Sequence, residues 1–227
     1  MHRPSLLRPL PLLPLPTMRV TVFGSSSPRT PVKYLDIAYE LGGLLAERKH
    51  ICVNGGGREG CMGAMNKGAR AQGGEIIGVL HERWKIESED LQVTKMIYTS
   101  GNDLTDRKQI LLDNGDGVLV LPGGVGTLDE LWDSVCGKSL QMKGMVNKPI
   151  CVVNVDGYFN GSILQLQRAA EENLLYSSNL DDYFHVEDTP KSALFWLEQA
   201  VQDKLVTPVT VFSNSDQRMQ PRDGYEI

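Results

Sequence analysis

The sequence lacks the residue patterns by which proteins usually hold a metal ion or cross a membrane. Its 227 residues include four cysteines and four histidines, but no C-x-x-C pair and no histidines at the spacing of zinc ligands. Its apolar runs are far shorter than the ~18 residues that a membrane-spanning helix requires. We therefore expect no bound metal, no membrane partner and a reducing, cytoplasmic environment.

The sequence also lacks an excess of positive charge. Lys and Arg number 23 against 28 Asp and Glu, which gives a net charge of −5 at pH 7. A large basic surface for nucleic acid is therefore not expected, although a local anion site is compatible with this charge. No G-x-S-x-G elbow is present, so a hydrolase with a nucleophilic serine has no motif to support it.

The composition suits a single globular domain between two tails, with 41% hydrophobic and 22% charged residues. Residues 1–17 hold six leucines, five prolines and no acid, which would also fit the start of a targeting peptide. Because prolines break both an apolar core and an amphipathic helix, we interpret this stretch as a disordered extension. The domain is then expected over residues 18–204, with a C-terminal tail over 205–227.

Predicted strands and helices alternate along almost the whole domain. This pattern predicts an α/β fold: a single, Rossmann-like, doubly wound parallel sheet with helices on both faces. Ligands of such sheets bind at the carboxyl ends of the strands. The strands are expected at residues 19–23, 51–53, 75–80, 95–99, 117–121, 149–154 and 183–186.

The stretch from Val118 to Trp132 predicts a strand, a glycine-rich turn and a helix beginning near Thr127. Gly123, Gly124 and Gly126 let the backbone approach a ligand, and the new helix directs free N–H groups toward it, so a phosphate is expected there. Glu130 lies close enough to face a sugar attached to that phosphate. The Thr-x-x-Glu spacing also permits a capping box between Thr127 and Glu130.

A second glycine-rich loop follows the second strand. Gly55, Gly57 and Gly60 fit G-x-G-x-x-G, a motif typical of dinucleotide binding. In that motif an acid at the end of the next strand holds a ribose, but here Glu75 opens that strand instead of closing it. The glycines therefore either allow close packing of helix on sheet or form a second backbone nest for an anion. Ser25, in the first such loop, is either a solubilising residue or a hydroxyl donor to a ligand.

Two adjacent cations, Arg107 and Lys108, lie near the start of the helix that leads into the strand at residue 117. Two adjacent cations usually lie on the solvent-exposed face of a helix. Here, Arg107 could instead fork onto a phosphate or hold a carboxylate such as Glu130 in place.

Taken together, these residues resemble the Lonely Guy (LOG) family of cytokinin riboside 5′-monophosphate phosphoribohydrolases, long mislabelled as lysine decarboxylases. The resemblance covers roughly residues 18–200. It is specific because Arg107-Lys108 occurs together with the motif Pro-Gly-Gly-x-Gly-Thr-x-x-Glu that begins at Pro122. The residues that carry it are Gly55-Gly56-Gly57-x-x-Gly60-x-Met62-Gly63, Gly73-Gly74, Arg107-Lys108, Asp116, Pro122-Gly123-Gly124-x-Gly126-Thr127-x-x-Glu130, Pro149 and Val155-Asp156-Gly157-Tyr158.

The resemblance implies hydrolysis of the N-glycosidic bond of an N6-substituted AMP, which releases the free base and ribose 5-phosphate. It implies Arg107 and Glu130 as the catalytic residues, no cofactor, and a homodimer. The substrate contacts that it implies are Ser25, Gly56, Glu89, Lys108, Gly123, Gly124, Gly126, Thr127 and Asp129.

Some features of the chain depart from the family pattern. Asp129 stands where many members have Glu, Cys136 stands where many have Thr, and the segment between Glu130 and Pro149 is longer. These changes fall near the expected base and ribose, so they affect base preference more than phosphate binding. Two other functions stay open: a broad AMP or pyrimidine nucleotide nucleosidase, and a non-catalytic carrier of a nucleotide or of the molybdenum cofactor.

Overall fold

A computed structural model describes residues 16–88 and 93–206 of the chain. The expectations for residues 1–15 and 207–227, and for Glu89, lie outside these residues. The strands are β1 (Arg19–Phe23), β2 (Ile51–Asn54), β3 (Ile76–His81), β4 (Lys95–Thr99), β5 (Gly117–Val120), β6 (Ile150–Val153) and β7 (His185–Glu187). The helices are α1 (Val32–Glu47), α2 (Gly60–Ala71), α3 (Thr105–Asp113), α4 (Val125–Ser139), α5 (Asn160–Glu171) and α6 (Pro190–Val206).

The seven strands form one parallel sheet in the order β4-β3-β2-β1-β5-β6-β7. The predicted doubly wound fold is thus confirmed. The middle strand is β1, and β5 pairs directly beside it, with Phe23 opposite Val120. The chain reverses its direction of winding between β1 and β5, and such a switch point leaves a crevice at the strands' carboxyl ends.

Each face of the sheet carries its own apolar core. Side chains alternate along a strand, so Val20 and Val22 of β1 enter one cluster while Phe23 enters the other. The first cluster includes buried residues of α1, α2 and α6, and the second includes buried residues of α3, α4 and α5. The two layers of helices hold the sheet rigidly beneath the loops at its edge.

Several boundaries differ from the predicted ones. Helix α4 begins at Val125, before Thr127. Strand β3 runs one residue beyond its predicted end, to His81, and a 3-10 helix follows over Glu82–Ser88. Helix α6 continues to Val206, so the domain boundary expected after residue 204 falls inside its last turn. No helix among the described residues is long and apolar enough to span a membrane.

Candidate active site

A cleft of about 640 Å³ opens at the carboxyl edge of the sheet, where β1, β2 and β5 end. It lies at the switch point between β1 and β5, as the fold predicts. Among the described residues that line it there is no lysine, the side chain on which a pyridoxal phosphate decarboxylase depends. Of the predicted site residues, it is lined by Ser25, Gly56, Arg107, Gly124, Gly126, Thr127 and Glu130.

The amino end of α4 forms one wall of this cleft. No side chain caps the helix, and its N-cap residue is Gly124, so its first turn is built to leave backbone N–H groups for a ligand. Gly123 has no space for a side chain, because a Cβ there would lie 2.1 Å from Oγ1 of Thr127. A Cβ at Gly126 would meet nothing within 4 Å. This close packing of loop on helix shapes a compact cradle for an anion.

The capping box between Thr127 and Glu130 is not present. Because α4 begins at Val125, Thr127 is already inside the helix, and it lies buried rather than at the N-cap position. Glu130 belongs to the second turn, about 7.5 Å along the helix axis from Val125 at 1.5 Å per residue. Its carboxylate is therefore free of the helix end and faces the cleft.

Arg107 and Glu130 form an ion pair inside the cleft. Nη1 of Arg107 lies 3.2 Å from Oε1 of Glu130, and the two side chains are only 12% and 15% exposed. Nε of Arg107 donates to the carbonyl of Val79 at 3.0 Å, which ties the guanidinium to the end of β3. On its other side, Nη2 lies so close to Gly55 that a Cβ there would come within 2.3 Å. Of the two roles considered for Arg107, holding Glu130 in place matches the observed arrangement.

The environment of Glu130 changes its acidity. Burial raises the pKa of this carboxyl to about 7, although the positive charge of Arg107 and its hydrogen bond oppose the rise. The carboxyl therefore exchanges its proton in the neutral range. Carboxyl groups with such a pKa, placed in a cleft beside a cation, are typical of active sites.

Lys108 and Asp129 are brought together, but outside the lining of the cleft. Nζ of Lys108 lies 3.2 Å from Asp129 and 3.6 Å from Asp133, which stand on one face of α4. The side chain of Lys108 is only 17% exposed, and its ammonium group pairs with both carboxylates. The two residues link α3 to α4 beside Arg107 and Glu130.

The loops after β1 and β2 close the opposite wall. The hydroxyl of Ser25 lies 2.7 Å from that of Thr30 and accepts a hydrogen bond from the N–H of Ser27, so it shapes its own loop. Gly56 has a φ of +70°, and its N–H donates to the side chain of Asn54. Because that N–H is already bonded, Gly56 does not supply an amide to a second anion nest.

Gly60 supports the packing interpretation of this glycine-rich loop. Its φ is +61°, and a Cβ there would lie 2.4 Å from the carbonyl of Ser25. The loops after β1 and β2 thus touch through their backbones. Asp116, in contrast, lies at the other edge of the sheet, where it accepts a hydrogen bond from the N–H of Arg19.

The sequence did not reveal the apolar part of the cleft. Leu80 ends a predicted strand, Trp84 lies in a segment without periodicity, and Leu104 precedes a helix, so no pattern linked them. The structure adds Met62 to these three as lining residues. The ring of His81 packs edge-on against Trp84 at 5.9 Å, which supports the tryptophan from behind.

The comparisons with known proteins agree with these features. Residues 62–197 match the protein family described as "Possible lysine decarboxylase". A cytokinin riboside 5′-monophosphate phosphoribohydrolase from Mycobacterium tuberculosis is 40% identical over 143 residues, which cover 63% of this chain and 73% of that protein. The Arabidopsis thaliana protein of the same name, LOG1, is 33% identical over 160 residues, which cover 69% of this chain and 72% of its own.

Solved structures share the fold. The molybdenum cofactor carrier protein from Chlamydomonas reinhardtii superposes with a TM-score of 0.60 at 23% identity, over 82% of this chain and 99% of its own. The molybdenum cofactor binding protein from Rippkaea orientalis gives a TM-score of 0.60 at 21% identity, over 85% of this chain and 99% of its own. At these identities the likeness concerns the fold alone. The family match and the relatives' identities show that this chain belongs to the LOG family, also described as possible lysine decarboxylases.

Proposed function

We propose that this protein hydrolyses the N-glycosidic bond of a nucleoside 5′-monophosphate, with a cytokinin riboside 5′-monophosphate as its preferred substrate. The observation that carries the proposal is the half-buried ion pair of Arg107 and Glu130, which faces the cleft one helical turn beyond the uncapped end of α4. The relatives' names supply the substrate class. A carrier protein would have no use for a carboxylate held in this way.

The amide groups at the start of α4 bind the 5′-phosphate in this proposal. Anions are favoured at a helix N-terminus because its N–H groups and its dipole both direct positive charge toward them. The cradle of Gly123, Gly124, Gly126 and Thr127 then anchors the nucleotide by its phosphate, and the distance along α4 brings the ribose next to Glu130. A nucleoside without phosphate would lose this anchor and react poorly.

Glu130 acts on the bond that breaks. As the bond between C1′ and the base lengthens, its electron pair leaves with the base, and the ribose gains oxocarbenium-like positive charge. The carboxylate of Glu130 stabilises that charge and orients a water molecule, whose oxygen bonds to C1′. The water loses a proton and the departing base gains one, so the products are the neutral base and ribose 5-phosphate. Arg107 is assigned the task of holding the carboxylate toward the sugar.

The apolar part of the cleft supports the assignment of the base. Leu80, Trp84 and Leu104 line the same cleft as Glu130. Apolar and aromatic side chains of this kind bury an apolar substituent on a purine more favourably than they bury a bare amino group. This surface therefore suits an N6-substituted adenine.

A product assay tests the proposal. The purified protein is incubated with isopentenyladenine riboside 5′-monophosphate, AMP or CMP, and the products are separated by chromatography. We expect free isopentenyladenine and ribose 5-phosphate, with slower release of base from AMP and CMP. Equal turnover of all three would favour a broad nucleotide nucleosidase, and no free base from any of them would refute the hydrolase.

We also propose that the protein is a homodimer in the cytoplasm. The family resemblance implies a dimer, and exposed apolar side chains offer a surface for one. Between α4 and β6 these are Leu140, Met142 and Val146, with exposures of 44–57%. The proposed compartment is consistent with four unpaired cysteines.

A further inference from the structure

The sequence Val155-Asp156-Gly157-Tyr158 contributes no residue to the catalytic pair, yet it reaches the phosphate cradle. The hydroxyl of Tyr158 donates a hydrogen bond to the carbonyl oxygen of Gly123. Tyr158 also lines a small second cleft of about 310 Å³, which shares Ser25 and Gly124 with the large one. The side chain therefore contacts the glycine loop at the second cleft, which neither Arg107 nor Glu130 lines.

We propose that Tyr158 is a positioning residue that orients the amide of Gly124 toward the substrate phosphate. No cis peptide bond occurs in the described residues, so the bond between Gly123 and Gly124 is trans. In a trans peptide, the C=O and the following N–H point in opposite directions. A hydroxyl that holds the carbonyl of Gly123 on one side therefore fixes the N–H of Gly124 on the other side, toward the large cleft.

The loop needs such a restraint because glycine leaves its backbone free to rotate. Gly123 and Gly124 are adjacent, and both peptide planes could turn at little energetic cost. The packing of Thr127 against Gly123 limits the position of the loop. The hydrogen bond from Tyr158 adds a restraint on the direction of one peptide plane.

The backbone that carries Tyr158 is itself unusually constrained. Asp156 has a φ of +51° and Gly157 a φ of +72°, so two consecutive residues lie in the left-handed region. The side chain of Asn154 holds the following turn, because its Oδ1 accepts the N–H of Phe159 and its Nδ2 donates to Asn160. Aspartate and glycine adopt this region more readily than most residues, so the sequence suits the turn that precedes Tyr158.

Contacts on the ring complete the support of Tyr158. Its ring packs edge-on against Tyr34 at 5.6 Å and against Phe159 at 5.0 Å. Asp156 is also tied to α1 by an ion pair of 2.7 Å with Lys33. The turn is thereby fixed between α1, which follows the first loop, and α5. The hydroxyl reaches Gly123 from a rigid base.

This inference rests on the proposed function, because it assigns Tyr158 a role in binding that substrate's phosphate. Its test is a binding experiment that needs no turnover. Calorimetry measures the affinity of the wild type, Tyr158→Phe and Tyr183→Phe for ribose 5-phosphate, and for adenine as a ligand without phosphate. Tyr183→Phe is the matched control, since the hydroxyl of Tyr183 also bonds the backbone, at the N–H and carbonyl of Ser177, away from both clefts.

We expect Tyr158→Phe to bind ribose 5-phosphate about three- to tenfold more weakly, as loss of one hydrogen bond would predict. Its adenine affinity, and both affinities of Tyr183→Phe, should equal those of the wild type. Thermal unfolding checks that both variants are folded, and a raised KM at unchanged kcat for the nucleotide provides a second measurement.

Other outcomes would overturn the inference. Wild-type affinity for ribose 5-phosphate in Tyr158→Phe would show that the hydroxyl does not orient the cradle, and an equal loss of adenine affinity would indicate a general structural effect. A wild type that binds no ribose 5-phosphate would refute the cradle itself. If ribose 5-phosphate binds as expected but no nucleotide is hydrolysed, the proposed function fails while the role of Tyr158 stands.

Discussion

At the scale of single residues, the proposed hydrolysis depends on Glu130. It is the buried carboxyl that faces the cleft, and Arg107 holds it from the neighbouring helix at 3.2 Å. A group that stabilises only the transition state lowers kcat when it is removed and leaves substrate binding nearly unchanged. A carrier protein would show no such separation.

The substitution Glu130→Gln tests this role. Glutamine keeps the size of the side chain and one oxygen that can accept from Arg107, but it removes the charge and replaces the other oxygen with an NH2 donor. We expect kcat to fall by about 10²- to 10⁴-fold while the affinity for ribose 5-phosphate is retained. Steady-state kinetics and calorimetry measure the two quantities. A variant with undiminished turnover would show that another group performs the chemistry.

The acidity of Glu130 predicts how the reaction depends on pH. Since the carboxylate form stabilises the ribose, and its pKa is about 7, kcat/KM should fall as the pH drops below about 7. The second pKa of the substrate's phosphate lies near 6, so the binding of ribose 5-phosphate across the same pH range serves as the control. A rate that instead rises toward acidic pH would indicate that Glu130 acts as a protonated acid.

The same shift predicts a change in stability. The pKa of Glu130 is raised on folding, from 4.5 to about 7, so its contribution is fully present below pH 4.5 and is lost as the pH rises through 7. Relative to Glu130→Gln, the wild type should lose on the order of 3 kcal/mol of unfolding free energy between pH 4 and pH 8. Urea unfolding at the two pH values measures this difference. A pH-independent difference would contradict the raised pKa.

At the scale of elements, the helix that ends the glycine loop is the informative one. The sequence favoured a start at Thr127, because threonine is a good N-cap and Gly126 is a poor helix former. The structure begins the helix at Val125, without a side-chain cap. A cap would occupy the N–H groups that the proposed phosphate needs, so local propensity gives way at the functional site.

Alanine substitutions at Gly123 and Gly126 test whether close packing at Gly123 is needed for stability. Gly123→Ala should destabilise the protein and weaken phosphate binding, because its Cβ would overlap Oγ1 of Thr127 at 2.1 Å. Gly126→Ala is the control for stability, since a Cβ there meets nothing and alanine favours a helix by about 1 kcal/mol over glycine. Thermal unfolding compares the two. Equal stability of both variants would show that the loop moves aside without cost.

Other elements show where the sequence was sufficient and where it was not. Short apolar runs located the seven strands of the sheet, and glycine or asparagine marked the ends of β1, β2 and β6. Lys108, whose contact with substrate stays a prediction, pairs with Asp129 and Asp133. That pairing depends on how α3 packs against α4, which no local pattern encodes.

At the scale of the whole molecule, the order of strands explains the position of the site. Chain order alone did not reveal that β1 is the middle strand or that the sheet reverses beside it. Parallel pairing nevertheless brings every strand's carboxyl end to one edge. The glycine loops after β1, β2 and β5 therefore meet there, and seven of the predicted site residues, from Ser25 to Glu130, line one cleft.

The proposed homodimer is a prediction at this scale. Burial of exposed apolar side chains such as Leu140 and Met142 would stabilise an interface between two copies. Light scattering coupled to gel filtration should give about twice the 25.1 kDa mass of one chain. A Met142→Glu variant should shift the protein toward the monomer if this surface is the interface. A monomeric wild type would contradict the proposal.

The most direct test of the whole account is a crystal structure of Glu130→Gln with isopentenyladenine riboside 5′-monophosphate bound. We predict the phosphate on the N–H groups at the start of α4, C1′ beside the side chain at position 130, and the base among Leu80, Trp84 and Leu104. A nucleotide bound with its phosphate elsewhere, or a side chain at position 130 turned away from C1′, would contradict the account.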